Sequence, residues 1–241
     1  MSTVHLNTTS SLHDPLVSII VPAYNEGPTI ADVLRRVSAL SFRTEIITVD
    51  DGSVDGTPSI LADLSKELPN LAVITQENKG KGAAVRAGIL RSQGDVVVIQ
   101  DADLEYDPHD LPTLIGPIIA GQADVVYGSR LRGGQPQRAH LFWHYVGNRF
   151  LSLLTNVLFN TTISDMEVGY KAFRGELIRS LELVSDDFRF EPEVTAKVLR
   201  VPHIRLYEVP ISYYGRSPAE GKKITWKDGI RAIGALIRFR V

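Results

Sequence analysis

The 241-residue chain has no cysteine, only two methionines and two tryptophans, and few aromatic residues (7%). Without cysteine there is no disulfide framework, no thiolate zinc site and no thiol nucleophile; this agrees with a cytosolic setting. An excess of either charge is also missing: 26 basic residues face 28 acidic ones, leaving a net charge of −2. No global basic surface therefore argues for nucleic acid. A bilayer crossing takes about 20 mostly apolar residues, and the nearest candidate, 142-FWHYVGNRFLSLLTNVLF-159, is interrupted by His144, Asn148 and Arg149. Residues 1–15, MSTVHLNTTSSLHDP, lack the apolar core of a signal peptide and read as a disordered leader. Neither an internal repeat nor a low-complexity tract is found.

What is present is a chain 44% hydrophobic, enough for one large core. From residue 17 short β-rich runs alternate with helical patterns. VSIIVPAY (17–24), EIITVDD (45–51), LAVITQ (71–76), DVVVIQD (95–101) and DVVYGS (124–129) read as strands. Helices are expected over 29–40, 57–68 and 82–92, and from Pro108 onward. That alternation indicates βαβ units and an α/β domain with a mainly parallel central sheet flanked by helices. Ligands in such sheets bind outside the carboxyl ends of the strands, where the polar clusters of this chain fall. After residue 130 the rhythm breaks into the Gly/Pro-rich basic loop LRGGQPQR (131–138). A helix-compatible stretch over 140–159, a helix from near Glu191 and a strand over 205–214 follow.

Four clusters carry chemistry. VDDGSVDGT (49–57) ends a strand with two acids: it is either turn and cap chemistry or a carboxylate that accepts N–H bonds from a nucleotide base. NKGKGAAVRAG (78–88) places lysines and glycines at a strand-to-helix junction, yet has neither the Walker spacing nor a full dinucleotide fingerprint, so simple helix initiation explains it as well. In QDADLEYDP (100–108) acids recur at every second position, which in an extended chain crowds them on one side. Asp101 and Asp103, with Glu105 as a third ligand, suit a hard divalent cation whose shell is completed by water and substrate phosphates; a solvated acidic turn is the plainer alternative. Asp107 followed by Pro108 reads as a helix cap.

Taken in order, SIIVPAYNE, VDDGS, NKGKGAAVRAG and QDADLEYDP resemble the inverting family-2 glycosyltransferases of the GT-A nucleotide-diphospho-sugar transferase fold. GSR (128–130), SDMEVGYKAF (164–173), FRFEPEV (188–194) and YYGRSPAEGKKITWKDG (213–229) narrow the likeness to the dolichol-phosphate mannosyltransferase branch, over about residues 16–230. This resemblance implies that Pro22, Tyr24 and Glu26 line the nucleoside pocket, that Val49 belongs with them, and that Asp51 reads the base edge. Asp101 and Asp103 would be the metal-binding DxD, holding Mg²⁺ or Mn²⁺, with Ala102 presenting backbone beside the nucleotide. Glu105 stands where the family often has Gln or Ser. Arg130, Arg216 and Lys222 would surround the diphosphate and the acceptor phosphate, and Asp165 would orient or activate the acceptor, so that Asp103, Arg130 and Asp165 are the catalytic candidates.

The implied reaction is inverting transfer of a hexose, mannose from GDP-mannose first, onto a polyprenyl or dolichyl phosphate at the cytoplasmic face of a membrane. The enzyme would be peripheral there or held by an anchoring partner. A UDP-sugar donor, a soluble saccharide acceptor and a nucleotide-sugar sensor without turnover are the alternatives. The expected organisation is a leader (1–15), one catalytic domain (16–223) with a nucleotide half (16–130) and an acceptor side (131–223), and a C-terminal amphipathic helix (224–241). On that helix Trp226, Ile230, Ile233 and Ile237 fall on one face, while Lys227, Arg231 and Arg238 lie elsewhere.

Overall fold

Runs of β-branched residues build the centre of the protein. In the computed structural model, which describes residues 11–135, 138, 142–215 and 226–240, seven strands form one sheet. They are β1 (Val17–Ala23), β2 (Thr44–Asp50), β3 (Leu71–Thr75), β4 (Val96–Ile99), β5 (Val125–Ser129), β6 (Lys171–Arg174) and β7 (Leu206–Pro210), in spatial order β3-β2-β1-β4-β6-β5-β7. All pairings are parallel except those of β6, which runs antiparallel to β4 and β5. β1 and β4 are apolar and buried nearly throughout, as strands covered on both faces must be.

The covering helices of the first half are α1 (Ile30–Ser38), α2 (Thr57–Glu67), α3 (Lys81–Arg91) and α4 (Leu111–Ile119). α1 shows why they pack: Ile30, Val33, Leu34 and Val37 recur at helical spacing and are buried. The second half adds α5 (Phe142–Phe159), α6 (Gly175–Ser180), α7 (Phe190–Leu199) and α8 (Trp226–Arg238). These elements match the expected α/β sandwich, with the parallel order of the first four strands and an irregular acceptor side.

Three expectations change. β6 and α6 are additions that the hydrophobic pattern does not announce, because β6 is KAFR with its lysine wholly buried. Part of the stretch expected as leader belongs to the fold: Leu12 packs against the core and its N–H donates to the Ile119 carbonyl at 2.9 Å; residues 1–10 lie outside those described. And α8, which packs on α7 and α5, buries Ala232, Ala235 and Leu236 while Ile230 and Ile237 stay exposed. Small alanines let the helix approach closely, and Ile233 of the apolar face read from the sequence packs against the core beside them.

Chain order reverses between β1 and β4: from β1 the chain builds outward to β2 and β3, then returns to lay β4 on the other side. Such a switch point leaves a crevice at the carboxyl ends of the two strands.

Candidate active site

The crevice is the mouth of a cleft of about 1270 Å³. Pro22, Tyr24 and Glu26 enter it after β1, Asp51 after β2, Lys81 from the first turn of α3, Asp101, Ala102, Asp103 and Glu105 after β4, and Arg130 after β5. Eight of the residues named from the sequence as nucleotide-sugar contacts thus meet in one place, Arg130 among them. Val49 is an exception, lying inside β2 in a small cluster with Ile47 and Ala84, beneath the cleft rather than on it. Arg216 and Lys222 fall outside the described residues.

Asp51 is buried and organises the neighbouring loop. Its Oδ1 accepts from Gln76 Nε2 at 2.6 Å and the Lys79 N–H at 2.9 Å, and its Oδ2 accepts from the Gly80 N–H at 2.8 Å. A carboxylate has about four acceptor sites, so at most about one is left for a base. The glycines of that loop answer to packing: Gly80 has φ +106°, and a Cβ on Gly82 would sit 2.4 Å from the Ser185 carbonyl oxygen. Lys81, just inside α3, reaches across to Asp101 at 2.7 Å and towards Glu191 at 3.6 Å. Burial works against its charge, but Asp101 and Glu191 outweigh burial and raise its pKa, so it is a fixed cation.

The acidic stretch does not stay extended. Leu104 adopts φ +58°, a conformation that costs a branched residue energy and that gathers at functional turns. Asp103 Oδ1 accepts the Glu105 N–H at 3.1 Å across that turn. Glu105 is thereby carried off the line of alternation: its Oε2 accepts from the Tyr213 hydroxyl at 2.7 Å, and its carbonyl accepts the Tyr214 N–H at 2.9 Å. Among the described residues no group of three His, Cys, Asp or Glu side chains converges as a metal cage. What remains for a hard cation is the pair Asp101 and Asp103, both on the cleft wall. Asp107 caps as expected, its side chain accepting the His109 N–H at the head of the 3₁₀ turn Pro108–Asp110.

Asp165 is wholly buried and gripped by Arg130. Oδ2 takes the Arg130 N–H at 3.0 Å and Nε at 2.7 Å, while Oδ1 takes Nη2 at 2.7 Å. Burial alone would raise its pKa; the Arg130 charge and hydrogen bonds outweigh that and hold it below the ordinary carboxylate range. So Asp165 positions Arg130 and is ill suited to take a proton. The guanidinium also lies over the Tyr213 ring at 5.1 Å.

A group that motif reading left unparsed completes the inner wall. Lys171, inside β6, pairs with Glu191 of α7, and Glu167 lines the same cleft. Glu167 Oε1 and Glu191 Oε1 are buried with no hydrogen-bond partner among the described residues. The signal was available: acids inside SDMEVGYKAF and FRFEPEV occupy positions where a bland strand or helix would be apolar. The outer wall is different in kind, built from Phe142, Trp143, Phe150 and Leu151 of α5 and Ile230 and Ile233 of α8.

The family described as Glycosyl transferase family 2 matches residues 18–181. The low-salt glycan biosynthesis hexosyltransferase of Haloferax volcanii is 30% identical over 91% of this chain and 52% of its own length. Dodecaprenyl-phosphate galacturonate synthase of Rhizobium johnstonii is 28% identical over 86% of this chain and 61% of its own. Dolichol-phosphate mannosyltransferase of Pyrococcus furiosus is 30% identical, covering 86% and 58% respectively. The chain therefore spans about half to three-fifths of the length of these curated relatives. Among solved structures, glucosyl-3-phosphoglycerate synthase of Mycobacterium tuberculosis, crystallised with Mn²⁺, UDP and phosphoglyceric acid, superposes with a TM-score of 0.72 at 23% identity, over 94% of this chain and 78% of that one.

Proposed function

The chain belongs to glycosyl transferase family 2, and from that premise we propose that it moves a hexose from a nucleoside diphosphate onto a polyprenyl phosphate. The observation that carries this reading is the cleft's two unlike walls. Its inner end holds Asp51, Lys81, Asp101, Asp103 and Arg130, and its outer end is apolar and formed by α5 and α8. A charged diphosphate and a greasy acceptor need that division. Similar proteins support it, since the named relatives include transferases that carry dodecaprenyl or dolichol phosphate in their descriptions.

Pro22, Tyr24 and Glu26 would receive the nucleoside, with Asp51 holding the loop against which it rests. Asp101 and Asp103 offer the hard oxygen donors that Mg²⁺ or Mn²⁺ favours, and a two-carboxylate set completed by diphosphate oxygens is an ordinary arrangement for such ions. Such a cation would stabilise the charge that develops on the leaving diphosphate. Arg130, fixed by Asp165, supplies a second positive group at the cleft. The acceptor phosphate oxygen attacks the anomeric carbon with inversion while the bond to the diphosphate breaks. A phosphate monoester, with a second pKa of roughly 6, is already anionic at neutral pH and needs docking rather than a general base. That fits an Asp165 committed to arginine. Mannose from GDP-mannose is the donor first in line, with UDP-sugars the alternative, and the work would take place at a membrane surface.

The test offers GDP-mannose, UDP-glucose and UDP-GlcNAc separately, with a short polyprenyl phosphate and Mg²⁺ or Mn²⁺. One donor is expected to give a lipid-linked sugar, and Asp103→Asn is expected to fold yet lose metal-dependent turnover. Transfer to a soluble saccharide but to no polyprenyl phosphate would overturn the acceptor assignment.

A further inference from the structure

The inner wall of the cleft holds two acceptors without a donor. Glu167 Oε1 and Glu191 Oε1 are buried with no hydrogen-bond partner among the described residues, and both residues line the cleft. Glu191 is only 4% exposed, and its other oxygen pairs with the wholly buried Lys171. Folding accounts for that pair. It does not account for Glu167, a second acid in a wall where one acid already balances the lysine. Like charges gathered in a buried place are costly, and each unsatisfied acceptor adds its own desolvation. A ligand that brings hydroxyl donors removes the second cost.

Position in the cleft decides which part of a ligand arrives there. Lys81 Nζ lies 2.7 Å from Asp101 and 3.6 Å from Glu191, so a single ammonium spans the gap between the cation-binding acids and this pair. Gly169, two residues after Glu167, packs directly on Asp101, and a Cβ there would collide with the Asp101 carboxylate. Pro22, Tyr24, Glu26 and Asp51, the nucleoside end, come from the loops after β1 and β2. A second phosphate is the wrong occupant, since it would bring more negative charge to two acids. The group that lies beyond a diphosphate held at Asp101 and Asp103, and that carries O–H donors without charge, is the sugar.

We propose that Glu167 and Glu191 read the transferred sugar by accepting hydrogen bonds from its hydroxyls, admitting a neutral hexose and refusing a hexuronate. An ionised carboxylate only accepts, and O–H bonds to a charged acceptor are the strong ones. A uronate would place a third carboxylate in this wall. The cations at hand are already matched, Lys171 to Glu191, Lys81 to Asp101 and Arg130 to Asp165. Buried acceptors also discriminate sharply against a ligand that leaves them unpaired. This role rests on the hexosyl-donor reading above and is independent of the polyprenyl acceptor.

Calorimetric titration of the full chain with Mn²⁺ at pH 8 tests it. That pH lies above the value of about 7 to which burial, and then the charge of Glu191, push the Glu167 carboxyl. The ligands are GDP-mannose and UDP-glucose, their uronates GDP-mannuronate and UDP-glucuronate, and the sugar-free GDP and UDP. Glu167→Leu is expected to weaken the hexose nucleotide that binds by at least about tenfold, with the sugar-free nucleotide unchanged. Glu167→Gln keeps a carbonyl acceptor, so it should restore most of the hexose binding while narrowing the gap between hexose and uronate. In the unsubstituted chain the uronate should bind at least about tenfold more weakly than its hexose, a comparison that needs no variant to fold. A folded Glu167→Leu variant that loses hexose and sugar-free nucleotide alike, or loses neither, overturns the proposal; the second result is what a trapped water at these oxygens would give. A uronate that binds as well as its hexose overturns it too. Binding of neither hexose nucleotide overturns it together with the donor reading. Transfer to a polyprenyl phosphate that is indifferent to Glu167→Leu defeats the proposal alone. Glu167-dependent sugar binding without transfer to any polyprenyl phosphate sustains it and defeats the acceptor reading alone.

Discussion

At the sheet end of the cleft, Asp51 holds three donors, Asp101 holds Lys81, and Asp165 holds Arg130 along both its oxygens. Along α5, Leu153 and Val157 carry apolar side chains into solvent. The two regions differ in when their interactions are made. Charges at the sheet end are positioned during folding, so they need little rearrangement when a charged substrate arrives, which is the condition for electrostatic catalysis. The wall of α5 leaves its apolar contacts to be made afterwards, with something outside the chain. Substitutions at the sheet end should therefore cost both stability and rate, whereas those at Leu153 and Val157 should cost neither until that contact is supplied.

The sharpest way to break this contrast is Asp165→Ala. It leaves a mostly buried guanidinium without its carboxylate, and breaking a buried pair typically costs about 3–5 kcal/mol. Urea unfolding should show a loss of that order, and transfer should fall roughly 100-fold because Arg130 is no longer held. A variant as stable as the original would mean that the sheet end is not organised by its ion pairs. Asp51→Ala should have a smaller effect. It strips the Lys79 and Gly80 N–H groups of their acceptor, at about 1–3 kcal/mol for unsatisfied buried groups. Its kinetic signature should be a donor KM raised roughly tenfold, about 1.4 kcal/mol, with kcat little changed; a fall in kcat alone would point to a role in the chemical step.

The same contrast explains what could be read from the sequence. The parallel strands were legible because Val, Ile and alternating helices write them directly. Asp101 and Asp103 were legible because two acids at a strand end are costly without a purpose. β6 was not, since Lys171 inside a strand makes sense only once Glu191, 20 residues away, is seen beside it. Glu105 was assigned by alternation, and alternation fails where Leu104 turns left-handed; its partner Tyr213 is 108 residues distant. Asp165 drew attention through its motif, but only the contact with Arg130 separates a positioning group from a base. For α8, hydrophobic size picked Ile230, Ile233 and Ile237, whereas close packing kept Ile233 and added Ala232 and Ala235. Local pattern reports what a residue prefers; pairing over long separation decides which preference is met.

One carboxyl at the sheet end escapes the rule, and it supplies the finest test. Glu167 Oε1 is buried without a hydrogen-bond partner among the described residues. Burial first, and then the charge of Glu191, push its pKa up to about 7, with Lys171 and Arg130 pulling weakly the other way and Asp165 adding to the rise. An unfolded glutamate titrates near about 4.3. Between those values the folded chain keeps a proton that the unfolded chain has lost, so stability falls as pH rises through this window. The contribution is fully present below the unfolded value and gone above the folded one. Glu167→Gln removes the titration while keeping the shape. It should match the original chain near pH 4.5 and exceed it at pH 8 by about 1–2 kcal/mol, after discounting a unit value of about 1.4 kcal/mol for partial exposure. Thermal unfolding should register this as a gain of a few degrees that grows with pH, at roughly 2–4 °C per kcal/mol for a chain of this size. Parallel pH curves for the two proteins would show that Glu167 is compensated after all, and that pairing at the sheet end has no exception.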